Sequence, residues 1–221
     1  MKITWLCHAT FLIEGDGRRI ITDPYDPDAM HFRPVQEPAD LVIRSSGLDR
    51  GHNCAQMIKG NPIIVTATGV PPRGVNIDGL LITAMPTQES LIHKETPDDN
   101  AMYRFTVEGI QIGHLGDVGN ALTPEQLDFL SGCDLLFVLA GGPPTIGLDD
   151  LEIVIRETQP RVVIPMHYHV PGATFKMLPI TELTKRFPAH AIRWVKGSTV
   201  ELTPATLPAT QQLIVLEPST N

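Results

Sequence analysis

The amino-acid sequence predicts an α/β chain built on more than one sheet, and three observations carry that expectation. Strand-like runs dominate the first half of the chain, and strands alternate with helix-like stretches in the second. The 18 glycines and 20 prolines among 221 residues call for many turns and short elements. Apolar residues make up 42% and charged residues 19%, an ordinary globular mixture with enough apolar surface for a sizeable core.

The elements follow in order. Ile3–Leu6, Thr10–Glu14 and Arg18–Thr22 read as an antiparallel meander, with Gly15-Asp16-Gly17 as its second turn and Asp23-Pro24 closing it. Residues 24–39 carry four prolines and no periodicity, so a surface loop is expected there. Short strands follow at 40–44 and 61–65, with two helical turns expected over 53–59. The middle is β-rich at 77–83, 101–107 and 110–115, the last two joined by the hairpin signal Glu108-Gly109. Thr123-Pro124-Glu125-Gln126 opens a helix, with a cap residue followed by proline at the first helical position. Beyond it lie a buried strand over 134–139, an amphipathic helix over 148–158, a buried strand over 161–165 and a helix over 178–187. The tail after Val200 reads as an edge strand with a loose end. No repeat or linker divides the chain, so residues 1–221 are expected to form a single domain.

Charge and cysteine content narrow the function classes. With 17 basic against 25 acidic residues the formal charge is −8, and no Lys/Arg run offers a surface for nucleic acid. Three widely spaced cysteines do not make a disulfide framework. No signal-peptide layout or membrane-length apolar run is visible, so a cytoplasmic protein with no membrane partner is expected. A small-molecule substrate is the remaining class of partner, with homo-oligomerisation left open.

The eight histidines carry the chemistry. His8, His114 and His167 stand at the ends of expected strands, near Asp23 and Asp117 in similar positions, where sheet proteins place ligands and catalysts. Imidazoles and carboxylates drawn from several loops are what a catalytic Zn²⁺ or Mn²⁺ site requires. In Gly113-His114-Leu115-Gly116-Asp117 the three-residue spacing turns His114 away from Asp117, so His114 reads as structural and Asp117 as the ligand. Ser45-Ser46 after a strand suggests a nucleophile only weakly, since no Gly-x-Ser-x-Gly elbow accompanies it.

Taken together, Trp5–Glu14, Thr22-Asp23-Pro24, Gly113–Asp117, Ala140-Gly141-Gly142 with Thr145, and Arg161–Tyr168 resemble the metallo-β-lactamase superfamily. More narrowly, the chain is similar to the branch of metal-dependent hydrolases that includes L-ascorbate-6-phosphate lactonase. The resemblance implies an αββα sandwich of two mixed β-sheets flanked by helices, with metal held by loops at one edge. It also marks a departure. The family's His-x-His-x-Asp-His motif should follow the strand ending at Arg44, where this chain reads Ser45-Ser46-Gly47-Leu48-Asp49-Arg50-Gly51-His52. The first two histidines are missing, and Asp49 and His52 remain as counterparts of the Asp-His half.

The resulting expectation is one Zn²⁺ or Mn²⁺ per chain, held by His52, Asp117 and His167 with Asp49 or His93 completing the set. Asp49 and Asp117 would orient or deprotonate a metal-activated water, and His169, with Tyr168, would contact substrate or protonate the leaving group. His8 and Asp23 would stand behind the ligands and fix their tautomers. The activity expected is hydrolysis of a small ester, lactone or phosphoester. The alternative is a relative whose metal site has decayed into a non-catalytic binding or scaffold protein.

Overall fold

The computed structural model of the chain describes residues 1–89, 99–173 and 176–219. Two mixed sheets form the body. The first contains β1 (Lys2–Cys7), β2 (Thr10–Gly15), β3 (Arg18–Thr22), β4 (Leu41–Arg44) and β5 (Ile63–Thr66). The second contains β6 (Val75–Ile77), β7 (Leu80–Thr87), β8 (Asn100–Val107), β9 (Ile110–His114), β10 (Leu135–Leu139), β11 (Val162–Met166) and β12 (Ile192–Trp194). Two strands from the tail complete them: β13 (Thr199–Glu201) pairs with β1, and β14 (Gln212–Val215) lies between β11 and β12.

The meander β1–β2–β3 is antiparallel, whereas β3, β4 and β5 run parallel. In the second sheet β6 to β9 are antiparallel neighbours, and β9, β10, β11 and β14 are parallel. This division has a functional consequence. The carboxyl ends of β9, β10 and β11 open together at one edge, which is where parallel strands leave loops free to carry ligands. All five residues of β10 and of β11 are buried, as their continuous apolar sequences require. Between the sheets, Phe11 of β2 meets Phe137 of β10 with ring centroids 4.2 Å apart, and Trp5 packs beside Phe11.

Helices are few: α1 (Pro27–Met30), α2 (Pro124–Leu130), α3 (Leu148–Thr158) and α4 (Ile180–Thr184). In α3 the buried residues Leu148, Leu151, Val154, Ile155 and Thr158 trace one face at helical spacing. None of the described helices is long and apolar enough to cross a membrane.

Several expected elements differ from those observed. The helix over 53–59 is a single 3₁₀ turn, Ala55–Met57, because Cys54 offers no side-chain cap. The helix over 178–187 shrinks to five residues behind an uncapped Pro179. The loop 24–39 contains a short helix that Asp26 caps by accepting from Asp28 N and Ala29 N. The tail is not a loose end: Leu213, Ile214 and Val215 are buried in an interior strand of the second sheet.

Helix α2 starts as its sequence predicts. Thr123 Oγ1 accepts from Gln126 N at 3.3 Å, while Gln126 Oε1 accepts from Thr123 N at 3.0 Å, a reciprocal capping box. Replacing Thr123 by Ala is expected to remove about 1 kcal/mol of stability, measured as a lowered midpoint in urea with unchanged slope.

Candidate metal centre

Five potential ligands come from four loops at one edge of the sandwich. His8 follows β1, Asp49 and His52 lie in the loop after β4, Asp117 follows β9, and His167 follows β11. Single ligand atoms of His8, His52 and His167 all lie within 4.8 Å of one another, and so do those of Asp49, His52 and Asp117. The two groups share His52. Ring centroids are 4.1 Å apart for His8 and His167, 5.0 Å for His8 and His52, and 5.7 Å for His52 and His167. The His52 Nδ1–Asp49 Oδ2 distance is 3.2 Å, and His167 Nε2 lies 3.5 Å from Asp117 Oδ1.

Backbone geometry turns these rings inward. His8 and His167 both occupy the left-handed region, at φ 52° and 53°. That conformation costs a non-glycine residue about 1 kcal/mol or more and persists only when surroundings enforce it. Here the enforcing contact is shared: the His8 carbonyl accepts from His167 N at 3.1 Å and from Trp5 Nε1 at 2.9 Å. The strand leading into His8 carries an irregularity between Trp5 and Cys7, which re-aims the chain at that point.

Other residues hold the carboxylates. Asp117 N donates to Asn100 Oδ1 at 2.9 Å, and Asn100 Nδ2 donates to Thr87 Oγ1. Gly116 has φ 61°, and a Cβ there would stand 2.6 Å from both Asn100 Oδ1 and Ser45 Cβ, so only glycine permits this turn. In the loop carrying Asp49, the Asp99 carboxylate accepts from Ser46 Oγ, from Gly47 N at 3.2 Å and from Leu48 N at 3.0 Å. Asn100, Thr87 and Asp99 were not indicated by any sequence motif, and Ser46, a weak nucleophile candidate in the sequence, serves here in a hydrogen-bonded turn. They act across separations of tens of residues, and no local pattern signals that.

Burial sets the electrostatics. His8 and His52 are held below the usual imidazole range chiefly by desolvation, and His167 is lowered to about 3 by burial and then by His52. All three are therefore neutral imidazoles, the form that binds metal. The Asp117 carboxyl is raised well above its ordinary range by burial, and further by Asp49, Glu89 and Asp23. Both ring nitrogens of His52, Nδ1 of His167 and Oδ1 of Asp117 are buried without a hydrogen-bond partner among the described residues. Such orphaned donors and acceptors are rare in interiors. Neutral nitrogens beside a carboxylate that lacks a cation fit a divalent metal, which would satisfy these atoms and relieve the carboxylate's burial cost.

The other expected site residues fall in distinct places. His8, expected behind the ligands, has its ring among them. Asp23 does lie behind the cluster, where Oδ1 accepts from Ser45 N at 2.5 Å and Oδ2 is 3.5 Å from His114 Nδ1. His114 is buried, with Gly116 N donating to Nδ1 and Nε2 facing the Ala9 carbonyl, and its ring stacks on Tyr103. Tyr168, expected at the substrate, is instead a packing residue: its hydroxyl donates to Leu216 O and its ring lies against Trp5. His169 does not line the cavity at the cluster but faces the neighbouring one. His93 lies outside the described residues.

Comparison with known proteins agrees with this architecture. Residues 2–167 match the family model described as a Beta-lactamase superfamily domain. A crystal structure from Thermotoga maritima, described as a candidate Zn-dependent hydrolase of the metallo-beta-lactamase superfamily, superposes with TM-score 0.79 and 32% identity over 98% of each chain. A UPF0173 metal-dependent hydrolase of Archaeoglobus fulgidus is 27% identical, the match covering 76% of this chain and 84% of that protein. Another, from Pelotomaculum thermopropionicum, is 29% identical over 76% of this chain and 85% of that one.

The Asp23–His114 contact yields a stability test. His114 Nδ1 accepts from Gly116 N, and burial pushes the nearby Asp23 carboxyl well above its ordinary range. The native state thus holds a proton that the unfolded chain releases above about pH 4, and stability falls as pH rises from there towards the raised value. Asp23→Asn presents the same acceptor to Ser45 and cannot ionise. Its stability in urea is expected to gain on the parent as pH rises above about 4, with the difference vanishing at the acid end. Asp23→Leu leaves Ser45 N–H buried and unpaired, and is expected to lose roughly 1–3 kcal/mol.

Proposed function

Because the chain belongs to the β-lactamase superfamily domain family, we propose that it is a metal-dependent hydrolase whose centre is the His8–Asp49–His52–Asp117–His167 cluster. The observation that carries this reading is the convergence of five ligating side chains from four loops, several of whose atoms have no other partner. Three imidazoles favour Zn²⁺, and one ion per chain, coordinated by a subset of the five, is sufficient for a hydrolase. A bound Zn²⁺ or Mn²⁺ supplies Lewis acidity towards the substrate oxygen and lowers the pKa of a coordinated water.

The chain's own groups do the rest. The neutral rings of His8, His52 and His167 hold nitrogen lone pairs towards one point, and their burial keeps protons from competing for them. Asp117 Oδ1 or Asp49 Oδ2, each beside a histidine of the cluster, would orient the attacking water or receive its proton. Asn100 and Gly116 hold the Asp117 turn in place, and the Asp99 cap holds the turn that carries Asp49. His169, on the wall of the adjoining cavity, is assigned to substrate contact. A small ester, lactone or phosphoester fits a cavity of about 350 Å³ at the cluster. The 1–221 chain acts as a single domain in this reading.

Elemental analysis tests it. Protein purified without chelators and reloaded with Zn²⁺ or Mn²⁺ is expected to retain about one equivalent per chain. Asp117→Ala and His167→Ala are each expected to lose it, while His169→Ala keeps it. Absence of stoichiometric metal from the folded parent protein refutes the reading.

A further inference from the structure

Beside the cavity at the metal cluster lies a second, larger one of about 660 Å³, a volume typical of small-molecule sites. Lys176 and Met177 contribute to the walls of both. The second cavity is walled mainly by apolar surface from Pro143, Met177, Leu178 and Pro179. Its wall is anchored: Leu178 N donates to Gly141 O at 2.8 Å and His169 N donates to Leu178 O at 3.0 Å, tying this segment across the exits of β10 and β11. A Cβ on Gly141 would collide with the His167 carbonyl, so the close approach of the chains here depends on that glycine.

Among the described residues, Lys176 is the one lysine or arginine lining either cavity. Among the described residues its ammonium makes no ion pair or hydrogen bond, although the chain carries an excess of acid. The nearby carboxylates face histidines instead, Asp49 towards His52 and Asp117 towards His167. A cation with no partner among the described residues, set between a metal cluster and an apolar chamber, is placed to bind an anionic group whose apolar body fills the chamber.

We propose that Lys176 is the substrate-recognising residue of this site and that the substrate is a small amphiphile bearing a phosphate or carboxylate. The inference rests on the hydrolase reading for what happens to the bound molecule, but not for its recognition. Isothermal titration of the Zn²⁺-treated protein with hexyl phosphate, hexanoate and hexanol tests it, using the parent, Lys176→Met and Lys176→Arg. At least one of the anions is expected to bind more tightly than hexanol, and the stronger of the two identifies the anionic group. Lys176→Met is expected to weaken that anion by roughly ten- to a hundred-fold, the loss of one charge-assisted contact, while leaving hexanol unchanged. Lys176→Arg is expected to restore most of the affinity. Equal binding of the anions by parent and Lys176→Met, or hexanol binding as tightly as both anions, overturns the proposal. Metal content measured on the same samples separates the two readings. Protein without zinc that still selects an anion through Lys176 retains this inference while the hydrolase reading fails. Zinc-bound protein indifferent to Lys176 does the reverse.

Discussion

One carbonyl oxygen joins the two sheets at the edge where the chemistry is assembled. His8 leaves the first sheet after β1 and His167 leaves the second after β11, and His167 N donates to the His8 carbonyl. Trp5 Nε1 donates to the same oxygen from within the core. This arrangement holds both histidines in the left-handed conformation and brings their rings to 4.1 Å centroid separation. Extended backbone at either position would swing its side chain away from the other sheet. The strain at two residues is balanced by Trp5, which is fully buried and packed against Tyr168 and Phe11.

Burial then determines what those rings can do. Desolvation keeps His8, His52 and His167 neutral, and the same desolvation penalises the Asp117 charge. In a protein interior this combination is unfavourable by itself, because a buried carboxylate wants a cation and orphaned nitrogens want donors. A divalent ion answers both demands at once. The folded scaffold therefore bears a cost at this edge that ligand binding offsets, and the rest of the sandwich supplies the margin through its continuous apolar strands.

Much of the scaffold was legible in the sequence. The meander, the strands at 101–107, 110–114, 135–139 and 162–166, and the capping box at Thr123 all announce themselves through local pattern. Asp117 and His167 could be singled out because each follows a strand, and Asp49 and His52 through the resemblance to the family's motif; the structure brings all four to one edge. The place of His8 was not legible. An imidazole in a tight turn reads as a structural group until the positive φ at Cys7 and His8 shows which way it points. Interior strand β14 was hidden for a different reason. Its four residues sit in a tail of Thr, Pro and Ala, and only pairing with β11 and β12 on both sides explains their burial.

The missing motif histidines bear on how this loop is built. In place of two imidazoles the segment after β4 carries Ser45, Ser46 and Gly47, and these residues make structural rather than ligating contacts. Ser45 N is taken by Asp23, and Ser46 Oγ is both donor to Asp99 and acceptor from Leu48 N and Asp49 N. The loop has become a hydrogen-bonded turn whose function is to present Asp49 and, three residues later, His52. The ring of His8, from the turn after β1, lies 5.0 Å from that of His52 and adds a nitrogen donor from outside this loop. A ligand set that depends less on one contiguous motif and more on separate strand ends is correspondingly harder to recognise from spacing. It remains chemically sufficient, because a metal responds to donor atoms and geometry and not to their order along the chain.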